Sequence, residues 1–249
     1  NDETAAPTAK RPRLQQTSLE NTEEDIELPK KKIIVLLDQA RLETAKTRKG
    51  EFELLNCDDH RDLCRKAKKD PAACRPDICH QELLALIDSP LNKAGCLQVY
   101  IKTEKGVLIE VSPNIRVPRT FKRFSGLMVQ LLHKLKIKAS GNCGKTLLKV
   151  IKNPFSDHLP IGTRVYGMSC KGTLYSPSAL ANALIPDSNQ GDDDVHHVCF
   201  VIGAMASGHV TVEDHPYIEK MISVSSYPLS GAAAIARILG GIEQHWGIV

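Results

Sequence analysis

The sequence predicts an α/β protein built on a mostly parallel sheet, and three observations predict it. Short unbroken apolar runs rich in β-branched residues recur along the chain, as expected of strands covered on both faces. Amphipathic helical patterns lie between or after them. One segment instead alternates apolar and polar residues about a central turn, the pattern of an antiparallel hairpin added to the sheet. The 249 residues, 42% of them hydrophobic, are enough to bury a core in one large domain.

The first run is "KKIIVLLD", with its apolar centre at Ile33 to Leu37. Similar runs, "LLKVIKN" (147–153), "HVCFVIGA" (197–204) and "MISVS" (221–225), predict further parallel strands at the centre of the sheet. Helices are expected in "DICHQELLALID" from Asp77, "TFKRFSGLMVQLLHKL" from Thr120 and "SGAAAIARILGGIEQHW" from Ser230. In "LQVYIKTEKGVLIEV", Leu97, Val99 and Ile101 alternate with Gln98, Tyr100 and Lys102, and the chain turns near Lys105-Gly106. This predicts a hairpin with one face in water, an insertion over about 97–119 that presents the basic residues following it. Residues 1–30 mix acidic, Thr, Gln and Pro residues without apolar periodicity, which predicts a disordered tail ahead of a domain spanning 31–249. "KRPR" (10–13) and "PKKK" (29–32) fit nuclear-import signals.

Composition narrows the class of function. No apolar run reaches the roughly 18–20 residues that cross a bilayer, and the polar N-terminus lacks the core of a signal peptide, so neither secretion nor membrane insertion is expected. The eight cysteines form no Cys-x-x-Cys pair and read as reduced thiols, most of them buried; Cys57, Cys64, Cys74, Cys79 and His80 fit no structural-zinc spacing. Residues 1–29 carry seven acids and three bases, which leaves a net charge of +8 on residues 30–249. Such a surface favours a polyanionic partner, nucleic acid first, although a solvated lysine-rich face has the same composition.

The densest positive charge lies in "EVSPNIRVPRTFKRFSG", where Arg116, Arg119, Lys122 and Arg123 precede and enter a helix. Phe124, Leu127, Met128, Leu131, Leu132 and Leu135 form its core face, and Thr120 is the expected N-cap. Free backbone N–H groups and the positive end of the dipole already favour anions there, so added arginines oppose helix stability by a few tenths of a kcal/mol each. A phosphate ligand would offset that cost; pairing with acids elsewhere would do so as well. In "CRPDICHQELLALIDSPLNKAG", Asp77 can cap a helix after Pro76 and can pair with Arg75. Asp88 ends that helix, where the dipole disfavours a carboxylate and raises its proton affinity, as suits a proton acceptor; an ordinary cap and stop have the same spacing. Gly203, Gly208 and Gly231 stand in small-residue loops off the carboxyl ends of predicted strands, where open α/β sheets bind ligands. "ASGNCGKT" lacks the first glycine of a phosphate-binding loop and leads into a strand, and "GDDDVHH" reads as a polar loop.

Taken together, "RPDICHQELLALIDSPLNKAG", "PNIRVPRTFKRFSGLMVQLLHKL", "LLKVIKNPFSDHLP", "GAMASG" and "SSYPLS" resemble the eukaryotic and archaeal ribosomal RNA pseudouridine N1-methyltransferases of the SPOUT class, over essentially all of residues 31–249. The resemblance implies a SPOUT fold whose C-terminal region, about 197–249, threads into a trefoil knot and binds S-adenosylmethionine, in a homodimer. It implies methylation of N1 of a pseudouridine in small-subunit rRNA and a part in assembling that subunit on the pre-ribosomal particle in the nucleolus of the nucleus; an rRNA-binding assembly factor without catalysis is the alternative on the same fold. By motif, Met168, Gly203, Gly208 and the run Val224, Ser225, Ser226, Tyr227, Pro228, Leu229 would line the cofactor pocket. Arg75, Arg116, Arg119 and Arg123 would hold RNA, Asp77 would orient Arg75, and Asp88 would lie near the target base and assist its deprotonation. No metal is implied. Three positions depart from the family's usual pattern: Ser226 stands where Asn is usual, Ser207 where Arg or His is usual, and Cys79 where Thr is usual.

Overall fold

The computed structural model describes residues 32–47, 50–66, 68–140, 144–186 and 197–249. The expected N-terminal tail, the cluster "KRPR" and the loop "GDDDV" lie outside them. The described residues form β1 (Ile33–Ala40), β2 (Thr44–Lys46), β3 (Phe52–Leu54), α1 (Arg61–Lys66), α2 (Pro76–Ile87), α3 (Pro90–Lys93), β4 (Leu97–Thr103), β5 (Leu108–Val111) and α4 (Phe121–Lys134). They continue with β6 (Lys136–Lys138), β7 (Thr146–Ile151), β8 (Arg164–Leu174), α5 (Pro177–Leu184), β9 (Val198–Gly203), β10 (Lys220–Ser223) and α6 (Gly231–Trp246). No helix among them is long and apolar enough to cross a membrane.

The main sheet runs β10-β8-β9-β1-β4-β5-β7-β6. The five strands from β10 to β4 are mutually parallel, and β5, β7 and β6 extend the sheet antiparallel. Alternation along β1 explains its unbroken hydrophobicity. Ile33, Val35 and Leu37 join the core under α2, α4, α5 and α6, while Ile34 and Leu36 join a second core with Tyr100, Phe155 and Val201 on the opposite face.

Three expectations need correction. The strand in "LLKVIKN" is β7, antiparallel between β5 and β6 rather than parallel at the centre. The strand in "MISVS" is parallel but is the edge strand β10. The hairpin β4–β5 forms and extends the sheet, but its expected solvent face is only partly wet: Gln98, Lys102 and Glu110 are half-buried there. β4 pairs with β1, and Tyr100 on its expected solvent side is buried against Phe155, ring centroids 5.3 Å apart. No sequence pattern signalled β8, the longest strand described, because its burial is confined to Val165, Tyr166 and Gly167, where β9 pairs with it. Farther along, the backbone of β10 comes so close that a Cβ on Gly172 would stand 2.5 Å from the Ile222 nitrogen.

Candidate active site and nucleic-acid interface

β9 and β10 end at the same edge of the sheet, and the loops that follow them enclose a cleft of about 470 Å³. Its walls are the 203–210 loop, the 223–231 loop, residues 168–170 of β8 and one face of α2. Gly208 has φ +107°, and a Cβ on Gly203 would meet Met205 at 2.6 Å. The second loop is held from below: Arg237 Nε donates to the Val224 carbonyl at 3.1 Å, Ser223 Oγ to the Ser225 carbonyl at 2.9 Å, and the Tyr227 N–H to Ser225 Oγ at 3.0 Å. The first is fixed to the end of β1, where the Ala204 N–H donates to the Asp38 carbonyl at 2.7 Å. The Asp38 carboxylate is buried 2.9 Å from His215 Nε2, and His215 Nδ1 lies 2.6 Å from the Tyr217 hydroxyl. Sequence reading missed this support, since its members are 177 residues apart along the chain.

The structure brings together Met168, Gly203, Gly208, Val224, Ser225, Tyr227, Pro228 and Leu229 in the cleft wall. Tyr227 and Leu229 lie at its rim, 77% and 41% exposed. Ser226 and Ser207 are exposed and do not line it, so these two departures leave the wall unchanged. Cys79 is buried in the core beneath α2.

One cleft residue escaped the sequence reading. Glu82 on α2 is 1% exposed, and neither carboxylate oxygen has a hydrogen-bond partner among the described residues. Burial alone pushes its pKa up to about 8. It faces the start of α6, where a Cβ on Gly231 would stand 1.8 Å from Glu82 Oε1; the glycine makes room for the acid. The spacing 79–82/83–86 on the buried face of α2 is the signal that could have exposed Glu82, because its position falls between Cys79 and Leu86.

Arg75 adjoins the same cleft and carries the expected orientation. Its Nε and a terminal nitrogen donate to the two oxygens of Asp77 at 2.8 and 2.6 Å, a bidentate pair that raises the arginine pKa and holds it charged. Asp77 is therefore a first-turn residue paired with Arg75, and the N-cap position belongs to Arg75 itself without a side-chain cap. Thr120 does occupy the N-cap of α4, but its hydroxyl makes no capping bond. The first turn of α4 contains no acid, so its N–H groups and dipole remain uncompensated.

The segment carrying the other arginines is rigid at both ends. His80 Nε2 lies 2.7 Å from the Pro118 carbonyl oxygen while its ring stacks on Phe124 at 4.4 Å, and Asn92 Nδ2 donates to the Pro113 carbonyl at 3.0 Å. Both anchors are buried, whereas Arg116, Arg119, Lys122 and Arg123 are exposed. Among the described residues Arg116, Lys122 and Arg123 have no ion-pair partner, and Arg119 pairs with Asp88 at 2.6 Å. Asp88 is the C-cap of α2 and does not line the cleft. A 13-residue step along a helix from Arg75 corresponds to about 20 Å. Asp88 thus stands at the far end of α2 from Arg75, while Pro118 of the arginine segment is held at His80 in the first half of the helix.

A model of the EMG1/NEP1 methyltransferase family matches residues 35–243. The chain is 49% identical over 222 residues to the ribosomal RNA small subunit methyltransferase NEP1 of Drosophila melanogaster and 50% over 219 residues to that of Homo sapiens, in each case covering 88% of this chain and 84% of the relative. It is 47% identical over 198 residues to Nep1 of the archaeon Staphylothermus marinus, covering 79% and 81%. Among solved structures it resembles Archaeoglobus fulgidus Nep1 bound to S-adenosylhomocysteine, with a TM-score of 0.60 and 25% identity over 86% of this chain and 98% of the other.

Proposed function

The chain belongs to the EMG1/NEP1 methyltransferase family, and from that membership we propose that it methylates small-subunit ribosomal RNA with S-adenosylmethionine as donor, at N1 of a pseudouridine. The observation that carries this reading is the cleft off the carboxyl ends of β9 and β10, lined by small residues together with apolar side chains such as Met168, Met205 and Val224, and bordered by a bidentately oriented arginine. The residues present fit the cofactor: Gly203 and Gly208 open space that a Cβ would occupy, and the buried Glu82 carboxyl has no partner in the protein. The archaeal Nep1 that shares this fold was solved with S-adenosylhomocysteine.

When bound, S-adenosylmethionine supplies an electrophilic methyl group on a positively charged sulfur. The protein's own task is alignment, which accounts for much of the acceleration in such a displacement. Met168, Val224 and Ser225 form the inner wall, and Tyr227, Pro228 and Leu229 the rim. Arg75, fixed by Asp77, and Arg116, Arg119 and Arg123 on their anchored segment bind phosphates around a base splayed from its loop. Asp88 accepts the proton that leaves the target nitrogen, once RNA phosphate draws Arg119 from it.

We place the activity in a homodimer, in which a second copy brings an arginine segment to each cleft. The C-terminal trefoil knot, action on the pre-ribosomal particle and a nucleolar location belong to the same reading. The order β10-β8-β9-β1 is compatible with the knot, since β10 is laid outside β8 after β9 has been inserted between β8 and β1. The test is incubation with labelled S-adenosylmethionine and two stem-loops that differ only in uridine or pseudouridine at the target. Label confined to the pseudouridine RNA is expected; label on both would remove the base specificity, and RNA binding without cofactor binding would remove the enzyme.

A further inference from the structure

An acid without a hydrogen-bond partner is costly to bury, and Glu82 is such an acid in the wall of a ligand cleft. Two features show that the site is built around it. Gly231 lacks the side chain that would collide with Oε1, and α6 begins at that glycine with Ser230 as its cap, whose Oγ accepts the Ala233 N–H; no first-turn N–H is hydrogen-bonded to Glu82. The carboxyl is thus given space but no protein partner, the arrangement expected where a ligand completes the set.

We infer that Glu82 is the counter-ion of a cationic centre of the cofactor, the sulfonium or the α-ammonium group. The inference rests on the methyltransferase reading and deepens it. Both centres are positive, and a buried carboxylate beside either one makes a charge-assisted contact that the water-filled cleft does not offer.

The surroundings leave the acid to the ligand. On α2 itself Cys79 is buried, Arg75 is paired with Asp77, His80 is committed to Pro118, and Asp88 is paired with Arg119. β1 brings Asp38, engaged by His215; α3 brings Lys93, and α4 brings Lys122, Arg123, His133 and Lys134, all exposed. From α6 come Arg237, bonded to the Val224 carbonyl, Glu243, which accepts the Leu91 N–H, and His245 near its end. His209 and Tyr227 border the cleft on its open side. None of these is hydrogen-bonded to Glu82.

A consequence is proton linkage. In the empty cleft burial keeps the acid protonated near neutral pH. Arrival of the cation favours the carboxylate, so the proton passes to solvent on binding, and affinity rises with pH until it levels off above about pH 8. Cofactor binding to the full chain is measured by calorimetry at pH 7 in two buffers of different ionisation enthalpy, with S-adenosylmethionine and, separately, S-adenosylhomocysteine. Release of about one proton per site is expected, with release lost and affinity lowered about tenfold in Glu82→Gln. Release with S-adenosylmethionine alone assigns the sulfonium, and release with both ligands assigns the ammonium. Binding of S-adenosylmethionine to the parent chain without proton release would overturn the inference and leave the methyltransferase reading intact, whatever the folding of the variant. Absence of cofactor binding altogether would overturn the reading itself.

Discussion

The cleft and the arginine segment, both held by α2, solve opposite problems. The cleft encloses: its walls combine glycines and small residues with apolar side chains such as Met168, Ile202 and Val224, and the buried acid Glu82 among them has no hydrogen-bond partner among the described residues. The arginine segment displays side chains and buries its anchors, His80 and Asn92, which hold the Pro118 and Pro113 carbonyls. A small ligand must be enclosed and oriented, whereas an RNA must be met at the surface by fixed positive charge. The difference teaches that stability and binding are coupled in the cleft and at the segment's buried anchors, and largely separate at its exposed arginines. Substitutions can break or sharpen that contrast.

The largest effect is expected from the pH dependence of stability. Glu82 has a folded pKa of about 8 against an ordinary value of 4.5, so the folded state holds a proton that the unfolded state gives up. The stability it contributes is full below about pH 4.5 and is lost as pH rises toward 8, an effect on the order of a few kcal/mol for so buried a group. Glu82→Gln should remove that decline, so its denaturation midpoint should exceed the parent's increasingly from pH 5 to pH 8. Parallel profiles would show that the acid is not buried in the empty protein.

Next comes Gly231→Ala, whose Cβ would overlap Glu82. It should destabilise the fold by about 1–3 kcal/mol and weaken cofactor binding, and Glu82→Ala in the same chain should restore much of the stability. Additive losses in the double variant would mean that the two residues do not share the space. His80→Ala should cost about 1–2 kcal/mol through the lost bond to Pro118 and ring packing, and should weaken RNA binding while leaving cofactor affinity unchanged. Smallest in binding is Asp88→Asn, which should retain both ligands and slow methyl transfer; an unchanged rate would end its assignment as proton acceptor.

The same contrast governs what could be read from the sequence. β1 and β9 were legible because both faces are buried, and an unbroken apolar run encodes that directly. β7 carries a similar run, but its direction is set by pairing with β5 and β6, which no local pattern records. β8 was hidden because its second half is held by close backbone approach at Gly172 rather than by apolar side chains. In the site, the arginines and the Arg75–Asp77 pair were visible because their chemistry is local and charged. Glu82, His215 and the anchoring role of His80 were not. Their meaning depends on partners or neighbours 38 to 177 residues away, and a glutamate in "HQELL" looks like any polar helix residue until α6 covers it.

The proposal that the cleft takes the cofactor and the arginine segment a separate stretch of RNA is tested most directly by one measurement. Calorimetric titrations of Arg119→Ala and Arg123→Ala with S-adenosylmethionine, beside RNA titrations across a salt series, measure both surfaces in the same proteins. RNA affinity should fall and its salt dependence flatten by about one counterion per arginine, with cofactor affinity unchanged. Equal loss of both affinities would contradict the account, because the arginines would then be supports of the fold.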